Sequence, residues 1–180
     1  CVLTMDERLH VLSLFQQRIK HHKPSAYITQ EAWFAGLSFY VDDRVLIPRS
    51  PLAEMIAQQF SPWVDASRVN NILDLCTGSG CIAIACAYAF EQAQVDASDV
   101  SADALQVAEI NRQNHGLEDR LSLIESDLFQ SIPEKNYDII VSNPPYVSIQ
   151  EMSELPEEFS FEPGETALAA GETGMDIVLP

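Results

Sequence analysis

Positively charged side chains are scarce in this sequence of 180 residues. It holds 10 Lys and Arg against 27 Asp and Glu, which gives a formal net charge of −17. Proteins that make broad contact with a phosphate backbone carry clustered Lys and Arg, so this composition argues against binding of nucleic acid. The charge favours a basic partner or a small-molecule ligand, and it fits a purely solubilising role equally well.

Long apolar runs and closely paired cysteines are missing too. No apolar segment approaches the roughly 18 residues that a membrane span requires, so no contact with a membrane is predicted. The 4 cysteines include no Cys-x-x-Cys pair, and the 4 histidines make no metal-ligand spacing with them. We therefore expect reduced cysteines in the core of a cytoplasmic protein, and no metal site.

An amphipathic helix is predicted over the first twenty residues. Thr4 and Glu7 have the spacing of a capping box, and apolar side chains then recur on one face at positions 9, 12, 15 and 19. No partner element precedes this helix in the sequence. Residues 1–26 are therefore interpreted as the end of a small helical domain.

Residues 27–60 are expected to hold a hairpin and a connecting helix. The apolar runs 33–41 and 45–47 predict two strands, with Asp42–Arg44 at the turn between them. Ser50 is predicted to cap a helix that begins at Pro51 and continues to Phe60.

Residues 61–180 are predicted to form one α/β domain. Strands are predicted at 71–75, 95–98, 121–125 and 137–142, with helices at 79–90 and 101–114. Strands that alternate with helices indicate a parallel sheet. The segment 147–172, which has seven glutamates and no Lys or Arg, is predicted to be a loop, and 171–176 to begin another helix.

A glycine-containing turn follows the first of these strands. Asp74-Leu75-Cys76-Thr77-Gly78-Ser79-Gly80 spans the point where the strand gives way to the helix, and its glycines let the backbone approach a ligand closely. Asp99 ends the second strand, where a carboxylate can accept both hydroxyls of a ribose. Gly78–Ala83 also satisfies the dinucleotide pattern G-x-G-x-x-A, so nicotinamide or flavin binding stays an alternative, as does a purely structural turn.

Two further carboxylates favour S-adenosylmethionine over a dinucleotide. Asp74 lies just before the turn, where it can face the cationic amino-acid end of that cofactor and would repel a pyrophosphate. Asp127, in Ser126-Asp127-Leu128-Phe129 after the third strand, lies beside apolar side chains and suits an adenine. Asp127 can equally cap the turn that follows it.

A stiff polar loop, Asn143-Pro144-Pro145-Tyr146, follows the fourth strand. Each proline lacks a backbone N–H and restricts the residue before it, so the loop presents carbonyl oxygens. The side-chain oxygen of Asn143 and the carbonyl of Pro144 can accept both hydrogens of a planar NH₂ group, while Tyr146 packs against its flat face. The loop therefore predicts methyl transfer to an amide or amino nitrogen, mainly by positioning, although two prolines can also simply end a strand.

The glycine turn at 74–80, Asp99, the segment 126–129 and the loop 143–146 follow one another along the chain. In this order they resemble the motifs of the HemK-type protein-glutamine methyltransferases. The segments 34–39 and 45–49 belong to the same resemblance, which covers nearly the whole chain. The family contains enzymes that act on peptide release factors and enzymes that act on a large-subunit ribosomal protein. Residues 47–54 carry one residue more than the usual release-factor hinge, and with 31–36 they look like the ribosomal-protein branch.

The resemblance implies N5-methylation of a glutamine in a Gly-Gln sequence, with S-adenosylmethionine as methyl donor. Asn143, Pro144, Pro145 and Tyr146 would bind the substrate, and Asn143, Pro144 and Tyr146 would be catalytic. The residues implied to bind the cofactor are Asp74, Cys76, Thr77, Gly78, Ser79, Gly80, Asp99, Asp127, Leu128 and Asn143. Relatives often have an aromatic residue at the position of Leu128.

The resemblance also implies a fold, a Rossmann-like methyltransferase sheet that normally has seven strands. Strands one to four are present, preceded by a hairpin and by the end of a helical substrate-recognition domain at residues 1–26. The chain is therefore interpreted as part of a longer protein.

Other functions stay open at this point. A release-factor glutamine methyltransferase is the first alternative, and a DNA adenine methyltransferase or a non-catalytic binding module are the others. The charge of −17 and the lack of a basic insert weigh against DNA. A binding module could dispense with Asn143, which is present.

An acidic rim is expected beside the substrate loop. A ribosomal protein is basic, so glutamates after Tyr146 would attract it. They are Glu151, Glu154, Glu157, Glu158, Glu162 and Glu165. A solvated loop without a steering role is the alternative.

Overall fold

The first helix is capped as the sequence predicts. The computed structural model describes residues 3–163, 167–175 and 177. Helix α1 spans Met5–His21, and the predicted capping box is confirmed, since Thr4 and Glu7 each accept the other's backbone N–H. None of its residues is buried, and the apolar side chains at positions 9, 12, 15 and 19 are at least 56% exposed. The apolar face of α1 therefore lies open to solvent.

A tight hairpin follows the short helix α2, Ser25–Thr29. It pairs β1, Glu31–Phe34, with β2, Leu37–Tyr40, through a two-residue turn at Ala35 and Gly36. Both turn residues have positive φ, 49° and 79°, which is the geometry that matches the twist of paired strands. The predicted hairpin turn at Asp42–Arg44 is therefore wrong.

Residues 42–50 form an irregular connection instead of a second strand. The Asp42 carbonyl accepts the Val45 N–H at 3.2 Å, and its carboxylate pairs with Arg44, so a local turn does form there. Helix α3 then spans Leu52–Ala57. It ends before the predicted Phe60, because Gln59 and Phe60 adopt φ of 51° and 54°.

A parallel sheet of four strands forms the centre of the described chain, as predicted. Its strands are β3 (Asn71–Leu75), β4 (Gln94–Asp99), β5 (Leu121–Glu125) and β6 (Ile139–Ser142), in the order β5-β4-β3-β6. Helices α4, Cys81–Ala89, and α5, Ala102–Asn114, make the first two crossovers. The chain moves outward from β3 to β5 and then returns to place β6 on the other side of β3. This reversal opens a crevice at the carboxyl ends of the strands.

The core joins the hairpin to the sheet. Helix α4 is buried along nearly its whole length, including Cys81 and Cys86, and shares a cluster with Phe34 and Phe39 of the hairpin. A second cluster packs Tyr27 and Val45 against α5, and the Tyr27 hydroxyl donates to the Val45 carbonyl at 2.6 Å. This packing holds residues 45–50 beside the carboxyl ends of the strands. The predicted domain boundaries at residues 26 and 60 stay predictions.

The segment after β6 is more ordered than the predicted loop. It contains α6, Ile149–Met152, with its own capping box, and a 3-10 turn at Glu157–Phe161. Residues 171–174 form turns and not the predicted start of a helix, and Asp176 lies outside the described residues. In the described part of the chain, no helix is long and apolar enough to cross a membrane.

Candidate active site

A cavity of about 970 Å³, open solvent at its mouth included, lies at the carboxyl ends of all four strands. Its walls are the turns that follow the strands, together with the connection at residues 44–50. Open α/β sheets bind ligands at such a reversal of strand order. We call this space the first cavity.

The glycine turn forms the floor of the first cavity. Cys76, Thr77, Gly78 and Ser79 line it, and a Cβ added at Gly78 would meet no atom of the described residues within 4 Å. Gly80 is not part of the lining. Its φ is 80°, and an added Cβ would lie 3.3 Å from that of Ala108, so glycine here lets α4 begin close to α5.

Asp99 presents its carboxylate to the first cavity. One oxygen accepts the Gly78 N–H at 2.9 Å, and the other accepts the Ser101 N–H at 3.0 Å. Partial burial raises the pKa of this carboxyl, while the N–H groups oppose the rise. Each oxygen keeps a further lone pair, so the group can still accept hydrogen bonds from a ligand.

Asp74 lies beneath the turn and does not line the cavity. It is fully buried, and Oδ2 accepts from the Thr77 hydroxyl at 2.6 Å and from the Ala83 N–H at 3.1 Å. Oδ1 has no partner among the described residues. Burial raises the pKa of Asp74 to about 7. Its observed role is to bind the turn to the first residues of α4, while the predicted contact with a cofactor stays a prediction.

The turn after β5 supplies an apolar wall. Leu128 lines the first cavity with a φ of 47°, and its carbonyl accepts the Ser126 hydroxyl at 2.8 Å. Asp127 also lines the cavity and is exposed, and its carboxylate accepts from the Gln130 side chain at 2.7 Å. Both alternatives for Asp127 are therefore compatible with its position, since it holds the turn and faces the cavity.

Asn143 lies at the junction of two cavities. It lines the first cavity with Pro145, and it lines a second cavity of about 660 Å³, solvent included, with Pro144 and Tyr146. The second cavity is otherwise mainly apolar, with Leu46, Val147, Leu155, Phe159 and Leu168 in its wall. The structure thus brings the predicted substrate residues beside the predicted cofactor residues.

Residues 167–174, which were not predicted as part of the site, contact the end of the Asn143–Tyr146 loop and Val147 after it. Val147 forms a parallel bridge with Ala169 and donates its N–H to the Leu168 carbonyl at 2.8 Å. A Cβ added at Gly174 would lie 2.5 Å from the Tyr146 carbonyl oxygen, closer than atoms can approach. Nothing local in the sequence indicates this contact.

Arg49 also lies in the site without having been predicted there. It lines both cavities, and its guanidinium pairs with Glu162 at 2.5 Å and lies 4.8 Å from the centre of the Phe159 ring. The family resemblance includes residues 45–49 but implies no role for them. An arginine that follows Ile47-Pro48 directly was the available signal.

The structure shows only part of the acidic rim that was expected after Tyr146. Glu151 and Glu154 are exposed, but Glu162 is buried against Arg49 and is therefore not part of a rim. Glu165 and the side chains of Glu157 and Glu158 lie outside the described part of the structure.

Comparisons with known proteins agree with this geometry. The methyltransferase small domain family matches residues 53–171. The chain is 51% identical over 174 residues to the ribosomal protein uL3 glutamine methyltransferase of Bordetella pertussis, covering 96% of this chain and 58% of that protein. It is 48% identical over 176 residues to the protein of the same name in Francisella tularensis, covering 97% and 56%. The chain thus spans somewhat over half the length of these relatives, which confirm the resemblance to the ribosomal-protein branch.

Solved structures support the fold. The catalytic domain of hMettl16, in complex with a MAT2A 3'UTR hairpin, is 18% identical with a TM-score of 0.59 and covers 97% of this chain and 60% of that one. A methyltransferase from Agrobacterium tumefaciens, described as SAM dependent, is 24% identical with a TM-score of 0.51, covering 64% and 39%. These structures support the fold alone, whereas the family match over residues 53–171 and the two relatives at 51% and 48% identity establish that the chain belongs to the methyltransferase small domain family.

Proposed function

We propose that this chain carries the cofactor site and the target-amide site of an S-adenosylmethionine-dependent methyltransferase that modifies a glutamine of ribosomal protein uL3. The observation that carries the proposal is the position of Asn143, which lines the cavity of Asp99 and also the cavity of Pro144 and Tyr146. The names of the two relatives, at 51% and 48% identity, support the choice of substrate.

The first cavity fits S-adenosylmethionine by its chemistry. The Asp99 carboxylate can accept the ribose hydroxyls, because its oxygens keep lone pairs beyond those that accept the Gly78 and Ser101 N–H groups. Leu128 offers an apolar surface to the adenine, and Asp127 beside it can accept the exocyclic amino group. Open space above Gly78 leaves room for the amino-acid end. Asp74 would hold the turn in shape for the cofactor through the Thr77 hydroxyl and the Ala83 N–H.

The Asn143–Tyr146 loop would hold the target amide. The Asn143 side-chain oxygen and the Pro144 carbonyl would each accept one N–H of the glutamine, and Tyr146 would pack against the amide plane. An amide nitrogen is a poor nucleophile, so its orientation and the stabilisation of positive charge developing on it are what the loop can supply. No general base is required within the site.

When bound, S-adenosylmethionine would supply an electrophilic methyl group. The amide nitrogen would bond to that carbon as the carbon–sulfur bond breaks with its electron pair left on sulfur, and one amide proton would pass to solvent. A ribosomal protein as substrate would place this activity in the cytoplasm. Because the uL3 target would be reached through a rim that carries Glu151 and Glu154, free basic uL3 is the expected form of the substrate.

The test is a methylation assay with the full-length protein, isotopically labelled methyl donor and three substrates offered separately. These are purified uL3, a peptide release factor and a DNA duplex rich in adenine. We expect label on a glutamine of uL3, located by fragmentation of the peptide. Label on the release factor or on DNA, with none on uL3, would overturn the proposal.

A further inference from the structure

A salt bridge joins the connection before α3 to the segment after β6. Arg49 Nη2 lies 2.5 Å from Glu162 Oε2, although the two residues are 113 positions apart in the sequence. The Glu162 side chain is 2% exposed and that of Arg49 is 45% exposed. The pair is therefore a buried carboxylate held by a cation whose outer edge reaches solvent and both cavities.

The burial of Glu162 depends on this arginine. Burial raises the pKa of Glu162, and the charge and hydrogen bond of Arg49 oppose the rise. A buried carboxylate without its partner is strongly disfavoured, so loss of Arg49 would drive Glu162 towards solvent or towards its protonated form.

Neighbouring side chains show what the pair holds in place. Phe161 packs against the cluster of Tyr27 and Val45, while the Phe159 ring lies under the Arg49 guanidinium. Phe159 and Leu155 also form part of the wall of the second cavity. Residues 155–162 are thus attached to the body of the protein at the same place where they shape the proposed substrate site.

We infer that Arg49 and Glu162 form a clamp that fixes residues 155–162 as a wall of the substrate cavity, and that they act as positioning residues for the protein substrate. The inference rests on the proposed function for the identity of the substrate. Glu162 lines neither cavity, so it acts through Arg49 and Phe159 and touches no reacting atom.

The clearest variant is Glu162→Gln, which keeps the shape of the side chain and removes its charge. We expect KM for uL3 to rise about tenfold or more, because without this charge-assisted bond residues 155–162 would have to be ordered each time the substrate binds. The kcat value and the affinity for S-adenosylmethionine should stay within about threefold of wild type. Arg49→Gln should raise KM as well. Arg49→Lys, which keeps the charge but loses the planar fork, should raise KM less than Arg49→Gln does.

Lys135→Gln is the matched control. Lys135 Nζ pairs with Asp96 at 2.7 Å, with side-chain exposures of 32% and 7%, which is a similar pairing of a buried carboxylate with an accessible cation. It lies outside both cavities, so its removal should leave KM for uL3 unchanged.

Two measurements separate failure of the clamp from failure of the proposed function. Hydrogen exchange in the absence of any substrate should be faster at residues 155–162 in Glu162→Gln and unchanged there in Lys135→Gln. In a double-mutant cycle, Glu162→Gln and Arg49→Gln should together raise KM little more than either alone. Unchanged exchange at residues 155–162, or independent effects of the two substitutions on KM, would overturn the clamp, whereas a wild-type protein that leaves uL3 unmodified would overturn the proposed function.

Discussion

The Gly78 N–H donates to Asp99 Oδ2 at 2.9 Å, which binds the glycine turn after β3 to the carboxylate at the end of β4. The Ser101 N–H fixes the other oxygen at 3.0 Å. The carboxylate is therefore oriented by the backbone before any ligand arrives. Such preorganisation reduces the ordering cost of binding and makes Asp99 the strongest candidate for the ribose contact.

Asp99→Ala should weaken S-adenosylmethionine binding by the full-length protein. Loss of a charge-assisted hydrogen bond costs about 1.5–3 kcal/mol, which is roughly ten- to a hundredfold in affinity. Titration calorimetry measures this directly. Asp103→Ala is the control, since Asp103 is an exposed carboxylate in the first turn of α5 outside the cavity. An unchanged dissociation constant in Asp99→Ala would contradict the assignment.

Asn143→Ala should abolish most methyl transfer while cofactor affinity changes only a few-fold. The side chain is assigned chiefly to the target amide, and loss of an oxyanion-type partner costs about 2.7–4 kcal/mol in the transition state. Single-turnover rates and calorimetry on the same preparation separate the two effects. A variant with normal turnover and poor cofactor binding would show that the roles of Asn143 and Asp99 have been exchanged.

Much of the sheet could be predicted from the sequence because its signals are local. The strands at 71–75 and 121–125 are apolar runs with clear ends, and the turn from Asp74 to Gly80 has its own glycine pattern. The hairpin was misplaced because Asp42–Arg44 also has turn chemistry, and only the pairing of Phe34 with Leu37 shows that Gly36 makes the reversal.

Long-range contacts could not be predicted in this way. The pairing of Arg49 with Glu162 joins residues 113 positions apart, and it removes a glutamate from the expected acidic rim. Position 174 must be glycine because the Tyr146 carbonyl oxygen lies too close for a Cβ, and no sequence pattern connects these two residues. The apolar face of α1 has correct helical spacing, yet spacing alone could not show that it stays exposed.

Neutralising Glu154, Glu157 and Glu158 to Gln tests electrostatic steering. We expect slower second-order methylation of free uL3 and a weaker dependence on salt, because exposed charges are screened within about 8 Å at physiological ionic strength. The control changes Glu91, Glu118 and Glu134, three exposed glutamates that precede β4, β5 and β6 and so lie at the opposite edge of the sheet. Equal rates and equal salt dependence in both triple variants would leave the acidic segment without a steering role.

Gly174→Ala should damage the substrate loop. The added Cβ would stand 2.5 Å from the Tyr146 carbonyl oxygen, and the φ of 75° adds strain for any L side chain. Gly116→Ala provides the comparison, since its φ is 63° but the added Cβ has no neighbour within 4 Å in the described part of the chain. Positive φ alone costs about 1–2 kcal/mol, so the excess loss of stability and of methyl transfer in Gly174→Ala reports the clash. Equal thermal stability and equal activity in the two variants would contradict this role.

The raised pKa of Asp74 predicts a pH-dependent contribution to stability. Its pKa is about 7 in the folded protein against an ordinary value of 3.8. Between about pH 4 and pH 7 the unfolded chain has lost this proton while the folded chain keeps it, so the contribution stabilises at low pH and is lost as pH rises. The free energy of unfolding of wild type minus that of Asp74→Asn should fall by a few kcal/mol across this window and then level off. Urea denaturation at several pH values measures the difference, and a constant value would refute the burial argument.

Mass spectrometry of cells that lack the gene is the most direct test of the proposal that this site methylates a glutamine of uL3. Ribosomal proteins and release factors would be compared with and without the gene, and again after complementation with wild type or with Asn143→Ala. We expect uL3 to lose one methyl group on deletion, wild type to restore it and Asn143→Ala to leave it missing. A uL3 that keeps its methylation state on deletion, while a release factor loses a methyl group, would contradict the proposed function.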